Sequence, residues 1–218
     1  MQRVISFSLY GNSPKYLQGA LENIELAKVY YPGWKCWFYC ASTIPPEFFY
    51  KLIEVADKVI SMPEAPEGKM RGWRFLAAGS PDVDAAIFRD ADSRLNQRGA
   101  AATQAWIDSD LPLHVMRDHE HHCCHKIYGG MWGLRAGAVP NMAQEIEAFP
   151  HWEGTSDWRS QITDMAFTEL VIWPKFKASQ IMHHADTERA ALAYDRYEGC
   201  VAFPPHAPYE GYVGEVCE

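Results

Sequence analysis

AAIFRDADSRL, residues 85–95, ends a short apolar run in two aspartates one residue apart, with an arginine on either side. Two carboxylates so close repel one another, and something positive must offset that repulsion. Arg89 and Arg94 are the candidates nearest in sequence, and a bound divalent cation is the other. Oxygen ligands of this kind suit Mg²⁺ or Mn²⁺, which can also hold a diphosphate. A bare Asp-x-Asp is common by chance. Its place at the end of an apolar strand gives Asp90 and Asp92 their weight.

Working outward, the chain alternates strand and helix patterns. VISFSL (4–9) is an apolar run of strand length that stops at Tyr10-Gly11-Asn12. Ser13 is placed to cap a helix, with Pro14 at its first position. Leu17, Ala20, Leu21, Ile24 and Ala27 keep helical spacing as far as Tyr31-Pro32-Gly33. CWFYC (36–40) and KVISM (58–62) read as strands, separated by the helical EFFYKLIEVA (47–56), and MRGWRFLAAG (70–79) as a helix before the aspartates. This rhythm predicts a parallel sheet of the Rossmann type, in which ligands bind beyond the carboxyl ends of the strands. Further on, 100–110 reads as helix, LHVM (113–116) as strand and MWGLRAG (131–137) as the segment after a polar loop. Helical patterns follow at 140–149 and 161–173, then a late strand in SQIMHHAD (179–186) and a proline-rich return, FPPHAPYEGYVGEV (203–216).

The chain has 218 residues, enough for one α/β domain, and the 48% apolar content is ample for its core. A net charge of −8 argues against nucleic acid as a partner. No run of eighteen apolar residues predicts a membrane span, and no leader pattern precedes the first strand. Six cysteines without CxxC spacing predict reduced thiols in a cytoplasmic protein (host cytoplasm for a viral one).

The blocks ISFSLYG, YPGW, GWRFL, RDADSRL, HVMRDH, GGMWG and YVGEV run in order across nearly the whole chain. Together they resemble the GT-A type, nucleotide-sugar-dependent glycosyltransferases, especially small bacterial and viral members, with a motif order similar to the glycogenin-like branch. The resemblance implies a single GT-A domain over 1–218, a Rossmann-like mixed sheet flanked by helices. Residues 1–95 would form its nucleotide-binding half and 96–218 its acceptor-shaping, metal-completing half. It also implies a metal-dependent transfer of sugar from a nucleotide diphosphate donor, UDP-linked, to a hydroxyl of a glycan or other acceptor.

Carried over residue by residue, the resemblance makes Asp90 and Asp92 ligands of Mn²⁺ or Mg²⁺, Asp90 also meeting the donor. His183 and His184 fall where the family places an imidazole on the same metal. It puts the base and ribose at Ser8, Leu9 and Tyr10, and the diphosphate at Arg71 and Arg74. Gly129 and Gly130 would line the sugar pocket, where missing side chains let backbone approach a ligand. Asp164, in DMAFTEL, would be a general base or a holder of donor-sugar hydroxyls. Asp118, in MRDH, would contact acceptor or donor hydroxyls. Met165 departs from the family's Asp-Gln pair, so the stereochemistry stays open.

Two other readings compete. A Mg²⁺-dependent nucleotidyltransferase uses the same sheet and aspartates. The tract His119, His121, His122, Cys123, Cys124 and His125 raises a zinc-stabilised interaction module, although contiguous ligands converge poorly on one tetrahedral ion.

Overall fold

The structure is a computed structural model that describes residues 1–119, 122, 125–153, 163–185, 200–205 and 211–217. His121, Cys123 and Cys124 lie outside the described residues, as do 161–162 of the expected helix and 206–210 of the proline-rich return.

The first half follows the expected alternation: β1 (Gln2–Leu9), α1 (Pro14–Tyr30), β2 (Lys35–Cys40), α2 (Pro46–Val55), β3 (Lys58–Ser61), α3 (Glu67–Gly72) and β4 (Val83–Phe88). Strands β1, β2, β3 and β4 are parallel neighbours, with Phe7 opposite Phe38 and their rings stacked at 4.8 Å. The expected helix over 70–79 divides instead into α3 and a tighter 3-10 helix, Trp73–Gly79. Pro14 does open α1, whereas the Ser13 side chain makes no capping hydrogen bond.

The second half adds α4 (Gln97–Ser109), β5 (Leu113–Arg117), β6 (Trp132–Arg135), α5 (Met142–Ala148), α6 (Thr163–Phe167), α7 (Trp173–Phe176), β7 (Gln180–His184) and β8 (Cys200–Ala202), with a π-helical turn, Thr168–Ile172, between α6 and α7. Asn96 caps α4 by accepting the Gly99 N–H at 2.8 Å. All eight strands join one sheet in the order β3-β2-β1-β4-β6-β5-β7-β8. The sheet is mixed, because β6 runs antiparallel to both β4 and β5. A wholly parallel sheet was the reading of the alternation alone. The short β6 returns antiparallel beside β5, a connection that needs no crossover helix.

Both faces of the sheet are buried along its central strands. Ile5, Phe7 and Leu9 of β1 pack with Ala20, Ile24 and Ala27 of α1. The other face packs Phe75, Phe88, Trp132, Phe167 and Trp152 as a ring cluster. That is why the strands read as apolar runs rather than as half-polar alternations. Ser6 and Ser8 of β1 lie on one face by strand periodicity. They are spent on the backbone of the segment that carries Arg71 and Arg74. Ser6 Oγ donates to the Arg74 carbonyl at 2.7 Å, and the Arg74 N–H donates to Ser8 Oγ at 2.9 Å.

Among the described residues no helix is long and apolar enough to cross a membrane. Cys36, Cys40, Cys200 and Cys217 are unbridged. Burial pushes the Cys36 and Cys40 thiols up to about 12, so both pack as small apolar groups.

A buried imidazole pair joins β5 to β7. His114 Nε2 and His183 Nδ1 are 3.0 Å apart, beneath Trp106 of α4. Burial lowers the His183 pKa to about 4, and burial plus the neighbouring His183 and Arg89 hold His114 well below its usual range. The unfolded chain takes up protons below its ordinary histidine range, while the folded pair stays neutral. Stability is therefore full above about pH 6.5 and falls as pH drops toward 4. Urea unfolding at pH 7 and pH 5 should differ by about 2 kcal/mol from His183 alone, with a further loss in the same direction from His114. His183→Asn should reduce that difference.

Candidate functional site

The carboxyl ends of β1 and β4 open into a cleft of about 470 Å³. Its lining brings together Ser8, Leu9, Tyr10, Arg71, Arg74, Asp90, Asp92, Gly129, Gly130 and Asp164 from the two halves of the chain. At its centre Arg74 joins two carboxylates. One terminal nitrogen donates to Asp90 Oδ1 and, at 3.2 Å, to the Arg89 carbonyl, and the other donates to Asp164 Oδ2 at 2.7 Å. Arg74 and Asp164 are buried, whereas the Asp90 side chain is 47% exposed to the cleft. Burial opposes the Arg74 charge, but Asp90 and Asp164 outweigh it and raise its pKa. Arg74 was expected to grip a diphosphate. Its two terminal nitrogens are instead held by carboxylates, so it organises the acids.

Gly129 and Gly130 form the roof over this network. A Cβ on Gly129 would lie 2.0 Å from Asp164 Oδ2, and one on Gly130 2.0 Å from Asp90 Oδ2. The close approach foreseen for them is thus with the protein's own carboxylates. Asp164 Oδ1 also accepts the Met165 N–H at 3.1 Å, so Met165 contributes backbone at the position where glutamine was expected.

The arginines flanking the aspartates do not neutralise them. Arg89 is buried and donates to the carbonyl of Phe88 at 2.9 Å, with longer contacts to those of Gly130 and Trp132. Burial lowers its pKa. Arg94 turns away to Glu22 and the Ala91 carbonyl. Asp92 is paired instead with Lys15, at the start of α1, at 3.0 Å. The hydrogen bond to Asp92 raises the Lys15 pKa. Asn23, buried on α1, donates to the Ala91 and Ser93 carbonyls at 3.3 and 2.8 Å and accepts the Leu95 N–H at 2.9 Å. It fixes the loop that carries both aspartates. A polar residue at a core position of a helix was the signal available in the sequence.

Arg71 faces the cleft more openly. It is paired with Glu67 one helical turn away and donates to Tyr10 Oη at 3.2 Å. Burial raises the Tyr10 pKa, partly countered by Arg71. His122 of the polar tract lines the cleft, as do Tyr16 and Tyr128, two residues not singled out from sequence.

Three expected residues stand elsewhere. His183 and His184 are buried in β7 and do not line the cleft. In the strand order β7 lies three strand spacings from β4, roughly 14 Å. The His183 ring is turned onto His114 and Phe203. Asp118 is likewise outside the cleft lining, its carboxylate held by Arg98 at 2.7 and 2.6 Å. In the histidine tract, His122 Nδ1 accepts the Asp118 N–H, while His125 pairs with Glu169. Among the described residues no three His, Cys, Asp or Glu side chains converge as a metal cluster. What the cleft offers a cation is the Asp90 and Asp92 carboxylate pair. Such a donor set fits a hard divalent ion that takes its remaining ligands from water and phosphate.

No protein-family model matches the chain, and no curated protein sequence matches it. Among solved structures, the 4-diphosphocytidyl-2C-methyl-D-erythritol synthase of Anaerococcus prevotii is 8% identical, over 88% of this chain and 94% of that one, with a TM-score of 0.50. A Bacillus anthracis protein described as a glucose-1-phosphate thymidylyltransferase is 9% identical, over 91% and 96%, with a TM-score of 0.50. S. aureus TarS is 13% identical over 65% of this chain and 49% of that one, with a TM-score of 0.46, so the chain spans about half the length of that match. The architecture is thus a single-domain, Rossmann-like α/β fold, a mixed sheet flanked by helices, of the kind those first two chains share.

Arg74→Ala would leave Asp164 buried without its counter-charge. Breaking such a pair costs about 3–5 kcal/mol. Denaturant unfolding at pH 7 should show that loss, with Asn23→Ala, which removes no charge, costing less.

Proposed function

We propose that the protein is a metal-dependent glycosyltransferase that moves a sugar from a nucleoside diphosphate donor, a UDP-sugar, to a hydroxyl of a glycan or other acceptor. The observation that carries this reading is the joining of Asp90 and Asp164 by Arg74 beneath two glycines, with Asp92 alongside, at the carboxyl ends of β1 and β4. Ligands of open α/β sheets bind at that edge.

Charge supports a cation in the reading. Asp90, Asp92 and Asp164 face the cationic Arg74 and Lys15, while Arg71 is matched by Glu67. A diphosphate entering such a cleft meets an excess of carboxylate. Asp90 and Asp92 would hold Mn²⁺ or Mg²⁺. When bound, the ion supplies positive charge against that developing on the departing diphosphate.

In this reading Ser8, Leu9 and Tyr10 border the nucleoside, with Arg71 and Tyr10 meeting it at the same wall. Asp164 acts as an acceptor for donor-sugar hydroxyls. Both its oxygens are already oriented, one by Arg74 and one by the Met165 N–H, leaving lone pairs for O–H donors. The acceptor oxygen attacks the anomeric carbon as the bond from that carbon to the diphosphate oxygen breaks. The acceptor proton passes to the leaving phosphate, or to Asp164 if configuration is inverted.

A nucleotidyltransferase is the second reading. It is favoured by the match, over 88% and 91% of this chain, to a protein named as a 4-diphosphocytidyl-2C-methyl-D-erythritol synthase and to one described as a thymidylyltransferase. It requires a nucleoside triphosphate and a sugar phosphate and releases pyrophosphate. A glycosyltransferase releases UDP from a UDP-sugar without either.

Incubation with a panel of UDP-sugars and Mn²⁺ should release UDP, and incubation with UTP and sugar 1-phosphates should release no pyrophosphate. The reverse outcome would establish the second reading. Asp92→Asn should remove the Mn²⁺ dependence of UDP binding in calorimetry. Asp164→Asn should lower turnover by about two to four orders of magnitude while UDP binding holds.

A further inference from the structure

Segment 211–217 returns to the carboxyl edge of the sheet. Glu215 N–H donates to the Tyr212 carbonyl at 3.2 Å, and Gly214 between them has φ +87°. A four-residue turn with its third residue at positive φ is type II. From this turn Gly214 and Val216 line the cleft. Val216 bridges antiparallel to Ser93, and the Cys217 N–H donates to the Asp92 carbonyl at 2.9 Å. The segment is therefore bonded to the same backbone that presents Asp92.

Its other anchor is Asp118. That side chain is 0% exposed, accepts twice from Arg98 of α4, and accepts the Val213 N–H through Oδ2 at 2.9 Å. Arg98 lies over the Phe203 ring at 4.6 Å, so one face of its guanidinium is covered by aromatic surface. Apolar packing would stabilise such a junction at least as well as a buried ion pair. A carboxylate adds direction, because one oriented acceptor fixes a single backbone N–H and with it the position of the turn.

We propose that Asp118 is a positioning residue: braced by Arg98, it sets segment 211–217 through the Val213 N–H as a wall of the nucleotide cleft and as a brace on Asp92. The consequence for binding rests on the reading of the cleft as a nucleoside diphosphate site. The anchoring itself does not.

The test is Val213→Pro. Proline is favoured at the second position of a type II turn and carries no N–H. This change keeps the turn and deletes the Val213 N–H. Its ring carbon takes the amide hydrogen's place against Asp118, and the buried Val213 side chain is lost with it. Asp118→Asn, which leaves Val213 in place, is therefore the paired variant. Amide exchange across 211–217 in the ligand-free protein, and calorimetric titration with UDP and Mn²⁺, are measured on the full chain. Exchange of the Cys217 amide should quicken at least tenfold, and the UDP dissociation constant should rise by about 10- to 100-fold, the scale of a hydrogen bond to a charged group. Asp118→Asn, which keeps an acceptor oxygen, should fall between Val213→Pro and the unaltered protein in both readouts. Unchanged exchange in both variants would overturn the anchor. Quickened exchange with unchanged UDP affinity would overturn the wall. If the unaltered protein binds no UDP at millimolar concentration, the nucleotide reading fails, and exchange alone then decides the anchor.

Discussion

Arg74 is almost entirely taken out of water, 4% exposed at the cleft wall, and the fate of its guanidinium governs the site around it. Removing a charge from water costs several kcal/mol unless opposite charges and hydrogen bonds replace the lost hydration. Asp90 and Asp164 supply those charges, and the Arg89 carbonyl accepts a further N–H. A side chain from the 3-10 turn after α3 thereby joins the end of β4 to the start of α6, two points 74 residues apart by their numbers (164 less 90). The demands then spread. Ser6 and Ser8 must hold the Arg74 backbone from β1, and residues 129 and 130 must lack side chains because carboxylate oxygens occupy that space.

The two aspartates of the opening stretch are consequently unlike. Asp90 shares Arg74 and keeps nearly half its side chain exposed; Asp92 is buried against Lys15, and its own carbonyl is tied to segment 211–217. An arriving cation would compete with Arg74 and Lys15 for oxygens that the protein already holds in place. Since Lys15 is itself over a third exposed, its contact screens easily and gives way at small cost. Arg74 cannot leave without stranding Asp164. The lysine side of the pair is where the site yields.

Much of the architecture was legible because both faces of the sheet are buried along its central strands. Strands β1, β2 and β4 appear as apolar runs, and α1 carries its core residues at helical spacing. The 3-10 turn was not legible, since WRFLAAG has the composition of an ordinary helix and its tightening depends on the serines of β1. Nor was β8, a three-residue edge strand with no buried side chain to impose a pattern. For the site, the positions of Asp90, Asp92, Asp164, Gly129 and Gly130 around one cleft follow the motif order. The pairings do not. Arg89 and Arg94 are nearest in sequence, yet strand geometry sends one into the sheet layer and the other back toward α1. Lys15 and Arg74, 77 and 16 residues distant, make the contacts.

The same reasoning explains why the late histidines are not where a strand-end motif alone would put them. Successive residues on a strand face opposite ways, and a ring in the interior must find a neighbour on its own face. His183 finds His114 on β5 beneath Trp106, and once paired there it has no means to reach the end of β4 across the intervening β5 and β6. Two neutral imidazoles sharing one hydrogen bond are stable in such a layer, whereas a metal ligand must present its nitrogen to an edge. The carboxyl edge is supplied instead with carboxylates and with backbone from segment 211–217. A cation there would complete its shell from solvent and from phosphate, so the strength of its hold would depend on the nucleotide being present. Metal and donor would bind as a unit, each weakly alone, because neither finds enough partners in the protein without the other.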